Sequence, residues 1–235
     1  EKSYREIQMF PFQSEVIFLL VYAIQISYIS YCVLYNKSEY LIKLILMNLV
    51  ATLIFTSRLI HIFGFNVNIG VMFLLCTQFM CYILYHMIGV KQFLIKINQI
   101  LFTTVFLFLM MQCLLFLPST ALEAMTIDNF IEQRTPFFLI VFGCFYVAQV
   151  LHALSYKLYS NTNNLLIDFT LRIFIVMQIQ SAIFYILTHY VVFTNVNTLE
   201  LYINGMIVRG LMLLLLLTPI YWYLEKKCKT IYRMN

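Results

Sequence analysis

Apolar residues run through this chain in long unbroken stretches set apart by short polar connections. Seven such runs lie at 16–35, 42–62, 70–90, 97–117, 136–156, 169–193 and 201–224. Each is close to the roughly 20 apolar residues a helix needs to cross a bilayer. The runs are continuously apolar and lack the in-out alternation of a membrane barrel, so strands are not expected as spanning elements. The connections are Lys37 to Lys43, a Phe-Gly-Phe-Asn-Val-Asn turn at 63–68, Lys91 to Lys96, 118–135, Tyr159 to Asn164, and Thr194 to Thr198. Of these, 118–135 alone exceeds a dozen residues, and it carries Glu123, Asp128, Glu132 and Arg134. The pattern predicts an all-α fold: a polytopic membrane helix bundle of six to seven transmembrane helices, with 1–235 forming a single integral membrane domain.

Composition sharpens this reading. The chain is 63% hydrophobic and 11% charged, less than half the roughly 25% charge of a soluble domain, and its mean hydropathy is +0.88. A soluble enzyme and a nucleic-acid-binding domain are excluded as first readings. The net charge of +5 fits Lys and Arg retained in cytoplasmic connections better than an anionic partner. Cys32, Cys76, Cys81, Cys113, Cys144 and Cys228 form no CxxC pair, and the first five fall inside apolar stretches, as small reduced residues do. Glu1 to Glu15 is polar and the first apolar run is long enough to span, so no cleavable signal peptide is expected.

Orientation follows from the basic residues. The N-terminus and the second, fourth and sixth connections hold Lys2, Arg5 and Arg134. The other connections and the C-terminus hold Lys37, Lys43, Lys91, Lys96, Lys157, Lys226, Lys227, Lys229 and Arg233. The imbalance places the N-terminus outside and the C-terminus in the cytoplasm.

Charge inside a span costs at least about 2.5–3.5 kcal/mol on insertion scales, so such residues normally face a bundle interior or a cavity. Arg209 lies in mid-span and suits either a cargo contact or a structural pairing. Arg58, about one turn from a span end, can snorkel. Arg172 has Asp168 four residues earlier on the same helical face and reads as an interfacial pair. His61, His86, His152 and His189 show no metal-site spacing, and His86 and His152 both lie toward the cytoplasmic ends of their spans. Gln78, Gln112, Gln149, Gln178, Gln180 and Asn48 supply amides that either join helices or read the edge of a heterocycle. No Walker motif, nucleophile elbow, zinc spacing, haem ligand pair or phosphate loop appears, so no catalytic constellation and no cofactor are expected.

The stretch Thr56-Ser57-Arg58-Leu59-Ile60-His61-Ile62-Phe63-Gly64-Phe65-Asn66-Val67-Asn68-Ile69-Gly70-Val71, continuing to Gly89-Val90-Lys91, resembles the opening of the queuosine-precursor transporter family, also called the vitamin-uptake-transporter-like family. Arg58 stands where that family has lysine. Arg134-Thr135-Pro136 approximates its Thr-Pro-Arg, and Ala148-Gln149-Val150-Leu151-His152 looks like its Ser-Gln-Leu-Leu-Asp. Arg209 followed by Leu217-Thr218-Pro219-Ile220-Tyr221-Trp222-Tyr223 resembles its Lys and then Leu-x-Thr-Pro-x-x-Tyr. The likeness covers about 44–226, leaving 16–35 as an additional N-terminal span.

The resemblance implies a bacterial inner-membrane importer of 7-deazaguanines, either queuosine precursors or queuine, which feed tRNA modification. It points to Arg58, Tyr82, His86, Gln149, His152, Gln180 and Arg209 as substrate-binding residues. Tyr82, His86 and His152 replace family carboxylates, and a further Asp would fall near Gln180 or Ser181. Such a pocket favours neutral over cationic cargo. Without an ATP-binding element, uptake runs as facilitated diffusion or through a separate energising partner, and a homo-oligomer is a further expected arrangement. The partners implied are thus the lipid bilayer and a small-molecule cargo, with no nucleic acid bound by the chain. The rival reading is a non-catalytic hydrophobic subunit of a larger membrane complex.

Overall fold

The computed structural model describes residues 13–55, 59–114, 138–154, 165–191 and 198–232. Helix α1 (Gln13–Leu34) and helix α2 (Ser38–Phe55) are joined by a tight turn. Asn36 adopts a left-handed φ of 52°, and the amides of Asn36 and Lys37 return to Val33 O at 3.2 Å and Cys32 O at 2.7 Å. That pair of bonds satisfies the last carbonyls of α1 and stops it. Within the resulting hairpin, Gln25 and Asn48 exchange two side-chain hydrogen bonds at 3.1 and 3.2 Å.

The apolar run 42–62 is not one helix. Helix α2 ends at Phe55, and Leu59–Ile62 is a strand, β1, paired antiparallel with β2 (Phe65–Asn68). The expected six-residue turn at 63–68 is likewise smaller: Phe63 and Gly64 alone make it, with φ of 51° and 82°. Positive φ at both central residues matches the twist of a two-residue hairpin. Among the described residues it is the exception to the all-helical expectation, and strands of four residues are too short to span a bilayer. The Phe63 amide donates to Glu15 Oε1 at 3.4 Å, tying the turn to the start of α1.

Helix α3 (Ile69–Leu114) contains one non-helical residue, Gly89, at φ 76° and ψ 166°. Unbroken, its 46 residues would extend far beyond a bilayer core of about 30 Å. Residues eight apart in a straight helix lie about 12 Å apart along the axis, yet the rings of Tyr85 and Phe93 meet at 5.5 Å across the break. The axis therefore turns sharply at Gly89. Lys91 to Lys96, expected as a loop, is helical, because nothing in a lysine-bearing stretch opposes a helix once the glycine has made the turn. Lys96 reaches back to Glu39 at the start of α2, at 3.2 Å.

Helices α4 (Phe138–Leu154), α5 (Leu165–Val191), α6 (Thr198–Met212) and α7 (Thr218–Tyr232) follow. A single π turn, Leu213–Leu217, joins α6 to α7. Pro219 has no amide hydrogen and its ring crowds the preceding turn. The widened turn accommodates it, with the Thr218 amide and hydroxyl both donating to Leu213 O.

Every residue from Leu74 to Tyr85 is buried, which makes the first half of α3 the centre of the bundle. Exposed large apolar side chains cover the outside, as on α1, α5 and the second half of α3. Among the described residues, four stretches are long and apolar enough to cross a membrane: Glu15–Leu34, Phe73–Met110, Phe169–Tyr190 and Leu199–Leu224. Phe138–Leu154 is apolar but shorter. This is the character of a multi-pass, largely helical membrane protein.

Candidate functional site

Three helices meet at the side chain of Gln78. It lies on the buried half of α3, where its amide is closed off from solvent. Its Nε2 donates to Gln180 Oε1 on α5 at 2.8 Å. Its Oε1 accepts from Gln149 Nε2 on α4 at 3.1 Å and bonds His152 Nε2 at 2.9 Å. Because that oxygen has only lone pairs to offer, the His152 bond requires the proton on Nε2. Gln149 and His152, three residues apart, share one face of α4 and so present both groups to α3. Two buried amide atoms in this network have no hydrogen-bond partner: Gln149 Oε1, an acceptor, and Gln180 Nε2, a donor.

The tract continues toward α6. Ser181, adjacent to Gln180, donates to Met177 O at 2.7 Å and accepts from Arg209 Nη1. Arg209 is 1% exposed, and its Nε donates to Gly205 O at 2.7 Å. A guanidinium so far from water is held by neutral acceptors. Arg172 on α5 is buried as well. The Asp168 side chain lies outside the described residues.

One turn from Gln78 on the same face of α3, Tyr82 belongs to an aromatic cluster. Its ring meets Phe169 at 5.0 Å and Tyr221 at 5.6 Å edge to face, while Phe169 and Tyr221 stack at 4.0 Å. Such contacts give the wall of the polar tract a fixed shape. His86, a further turn along, is exposed and lies 4.6 Å from the Tyr82 ring.

Of the residues selected from sequence, Gln149, His152 and Gln180 come together on one side chain, and Arg209 joins them through Ser181. Tyr82 adjoins the group, His86 stands at its edge, and Arg58 lies outside the described residues. The hub, Gln78, was recognised in the sequence as one span amide among several and not as a site residue. The signal that marks it is position: Gln78, Tyr82 and His86 recur every four residues along one helical face. Asn48, another of those amides, is taken up by Gln25. Among the described residues, no three His, Cys, Asp or Glu side chains gather as metal ligands. The chain matches no family model, no curated protein and no solved structure.

Proposed function

We propose that this chain is a multi-pass importer of a neutral 7-deazaguanine base, a queuosine precursor. The observation that carries the reading is the network centred on Gln78, where one open amide acceptor and one open amide donor remain inside a membrane-type bundle. The lactam edge of a guanine-type base supplies the complement, an N–H for Gln149 Oε1 and a carbonyl for Gln180 Nε2. The ordered motifs from Arg58 to Tyr223 support the same class of cargo.

Among the described residues, the charged side chains buried in the tract are cationic. Arg172 and Arg209 are buried there, and Tyr82, His86 and His152 stand where the family resemblance expects carboxylates. A cationic aminomethyl substituent would meet none of those carboxylates and would be repelled by the Arg209 guanidinium. Neutral cargo avoids both.

In this reading α1, α2, the two halves of α3, α4, α5 and the joined α6–α7 make seven crossings of a bacterial inner membrane. The N-terminus is then external and the C-terminus cytoplasmic. The test uses cells unable to make or import the precursors, expressing this chain, with queuosine in tRNA as readout. Restoration by a neutral 7-deazaguanine is the expected result. Restoration by none, with the chain verified in the membrane, would reject the transporter reading.

A further inference from the structure

Where α1 turns into α2, the bundle leaves positive charge unmatched. Lys43 is exposed in the second turn of α2 and lies over the Tyr40 ring, its Nζ 5.3 Å from the centroid. Glu39, four residues earlier on the same helical face, is the carboxylate placed to pair with it. That carboxylate is turned to α3 instead, where Lys96 meets it at 3.2 Å. Lys37, in the turn itself, is exposed as well. Among the described residues, this corner therefore sets Lys37, Lys43 and Lys96 against Glu39, which is already engaged.

Beside the lysines, α1 presents a graded stripe to the outside. Leu20, Ile24, Tyr28, Tyr31 and Tyr35 recur at steps of three or four residues, and all are exposed. The three tyrosine rings stand next to one another, with successive centroids 6.4 and 4.9 Å apart. From Tyr28 to Tyr35 they climb about 10 Å along the helix axis, enough to cover the interfacial layer of a bilayer and the first carbons of the chains beneath it. Tyrosine suits that layer, since its ring is apolar and its hydroxyl takes a polar partner. Ile24 and Leu20 continue the stripe into the hydrocarbon.

Charge and stripe meet at the turn. Tyr35 and Tyr40 stand on either side of it, the Tyr40 amide closing onto Lys37 O at 3.2 Å. Deeper in the hairpin, the paired Gln25–Asn48 bonds keep the two helices side by side. The exposed surface thus runs from cationic, through aromatic, to aliphatic, in the order that a phospholipid runs from head to tail.

We infer that this corner binds an anionic phospholipid. Its phosphate lies at Lys43 and Lys37 beside the Tyr40 ring, and one acyl chain follows α1 from Tyr31 toward Leu20. The lysines favour a head group with net negative charge over a zwitterionic one, whose own cation they repel. The exposed rings favour a lipid over a free phosphate, which has no chain to cover them. The site rests on the multi-pass membrane character of the chain and not on the transporter reading, so either can fail alone.

The experiment is native mass spectrometry of the full chain in a neutral detergent. It is titrated with phosphatidylglycerol, with phosphatidylcholine of the same chains, and with glycerol phosphate as the free head group. Each lysine near an anionic lipid contributes about fivefold in affinity, so the first phosphatidylglycerol should bind about fivefold or more tightly than the first phosphatidylcholine. Lys37→Gln with Lys43→Gln should bring the two lipids within about twofold of each other and leave phosphatidylcholine unchanged. Glu39→Gln, which releases Lys96, should tighten phosphatidylglycerol by about threefold or more. All three substitutions fall on exposed side chains, and thermal unfolding in the same detergent confirms that each variant is folded. Equal affinity for the two lipids in the unaltered protein would overturn the proposal. An undiminished preference in the double lysine variant would overturn it too, as would glycerol phosphate binding as tightly as phosphatidylglycerol.

Discussion

Gln78 and Gln180, 102 residues apart in sequence, are joined side chain to side chain at 2.8 Å in the interior of the bundle. The bond fixes α3 against α5. Because the other end of the Gln78 amide takes two donors from α4, one side chain sets the mutual position of three helices. The same side chain should therefore matter to stability. Gln78→Leu strands the donors of Gln149 and His152 and the acceptor of Gln180. Interhelical bonds in membranes average about 0.6 kcal/mol because the unfolded chain also finds partners, whereas a stranded buried group costs about 1–3 kcal/mol. The expected loss is about 1–3 kcal/mol in mixed-micelle unfolding. Wild-type stability would mean that the helices are held by packing alone.

Gly89 should be required for its backbone and not for space. A Cβ there meets nothing within 4 Å, yet φ is 76°. Gly89→Ala should cost about 1–3 kcal/mol through strain in a region side chains rarely occupy. Gly143, in α4, also has nothing within 4 Å and has no positive φ. Gly143→Ala should be neutral or stabilise by up to about 1 kcal/mol. Thermal unfolding of the two variants in one detergent separates the causes, and equal effects would contradict this account of the α3 turn.

Arg209 should matter for uptake beyond insertion. Lysine keeps the charge but cannot serve Gly205 O and Ser181 together in the fork geometry of a guanidinium. Arg209→Lys should retain part of uptake. Arg209→Leu should remove it while leaving folded protein in the membrane, as scored by uptake beside membrane abundance. Normal transport by the leucine variant would reduce Arg209 to a packing residue.

The proposed orientation predicts that Lys226 is cytoplasmic and Glu1 external. Impermeant labelling of single cysteines near each end of a cysteine-free chain reports this. Both ends on one side would contradict seven crossings.

The helices were legible in the sequence because crossing a bilayer demands long apolar stretches, and α1, α4 and α5 fall close to their runs. The boundary at Phe55 was not legible. Leu59 to Ile62 is as apolar as a helix, and only pairing with Phe65 to Asn68 makes it a strand. Gly89 was overshadowed by the lysines after it, since charge suggested a connection that one glycine supplies. Within the site, the sequence marked Gln149, His152, Gln180 and Arg209 as polar residues in apolar surroundings. It did not rank Gln78 above Gln112 or Gln178, because which amide becomes a hub depends on how the helices dock.

The central claim, that the Gln78 network reads a neutral base, is tested most directly by equilibrium binding to the purified full chain. The probes are labelled 7-deazaguanine, which is neutral, and its 7-aminomethyl derivative, which is cationic. The account predicts binding of the neutral base about tenfold or more tightly than the cation, and at least a tenfold loss for the neutral base in Gln149→Leu. Tighter binding of the cation, or no binding of either to folded protein, would contradict it.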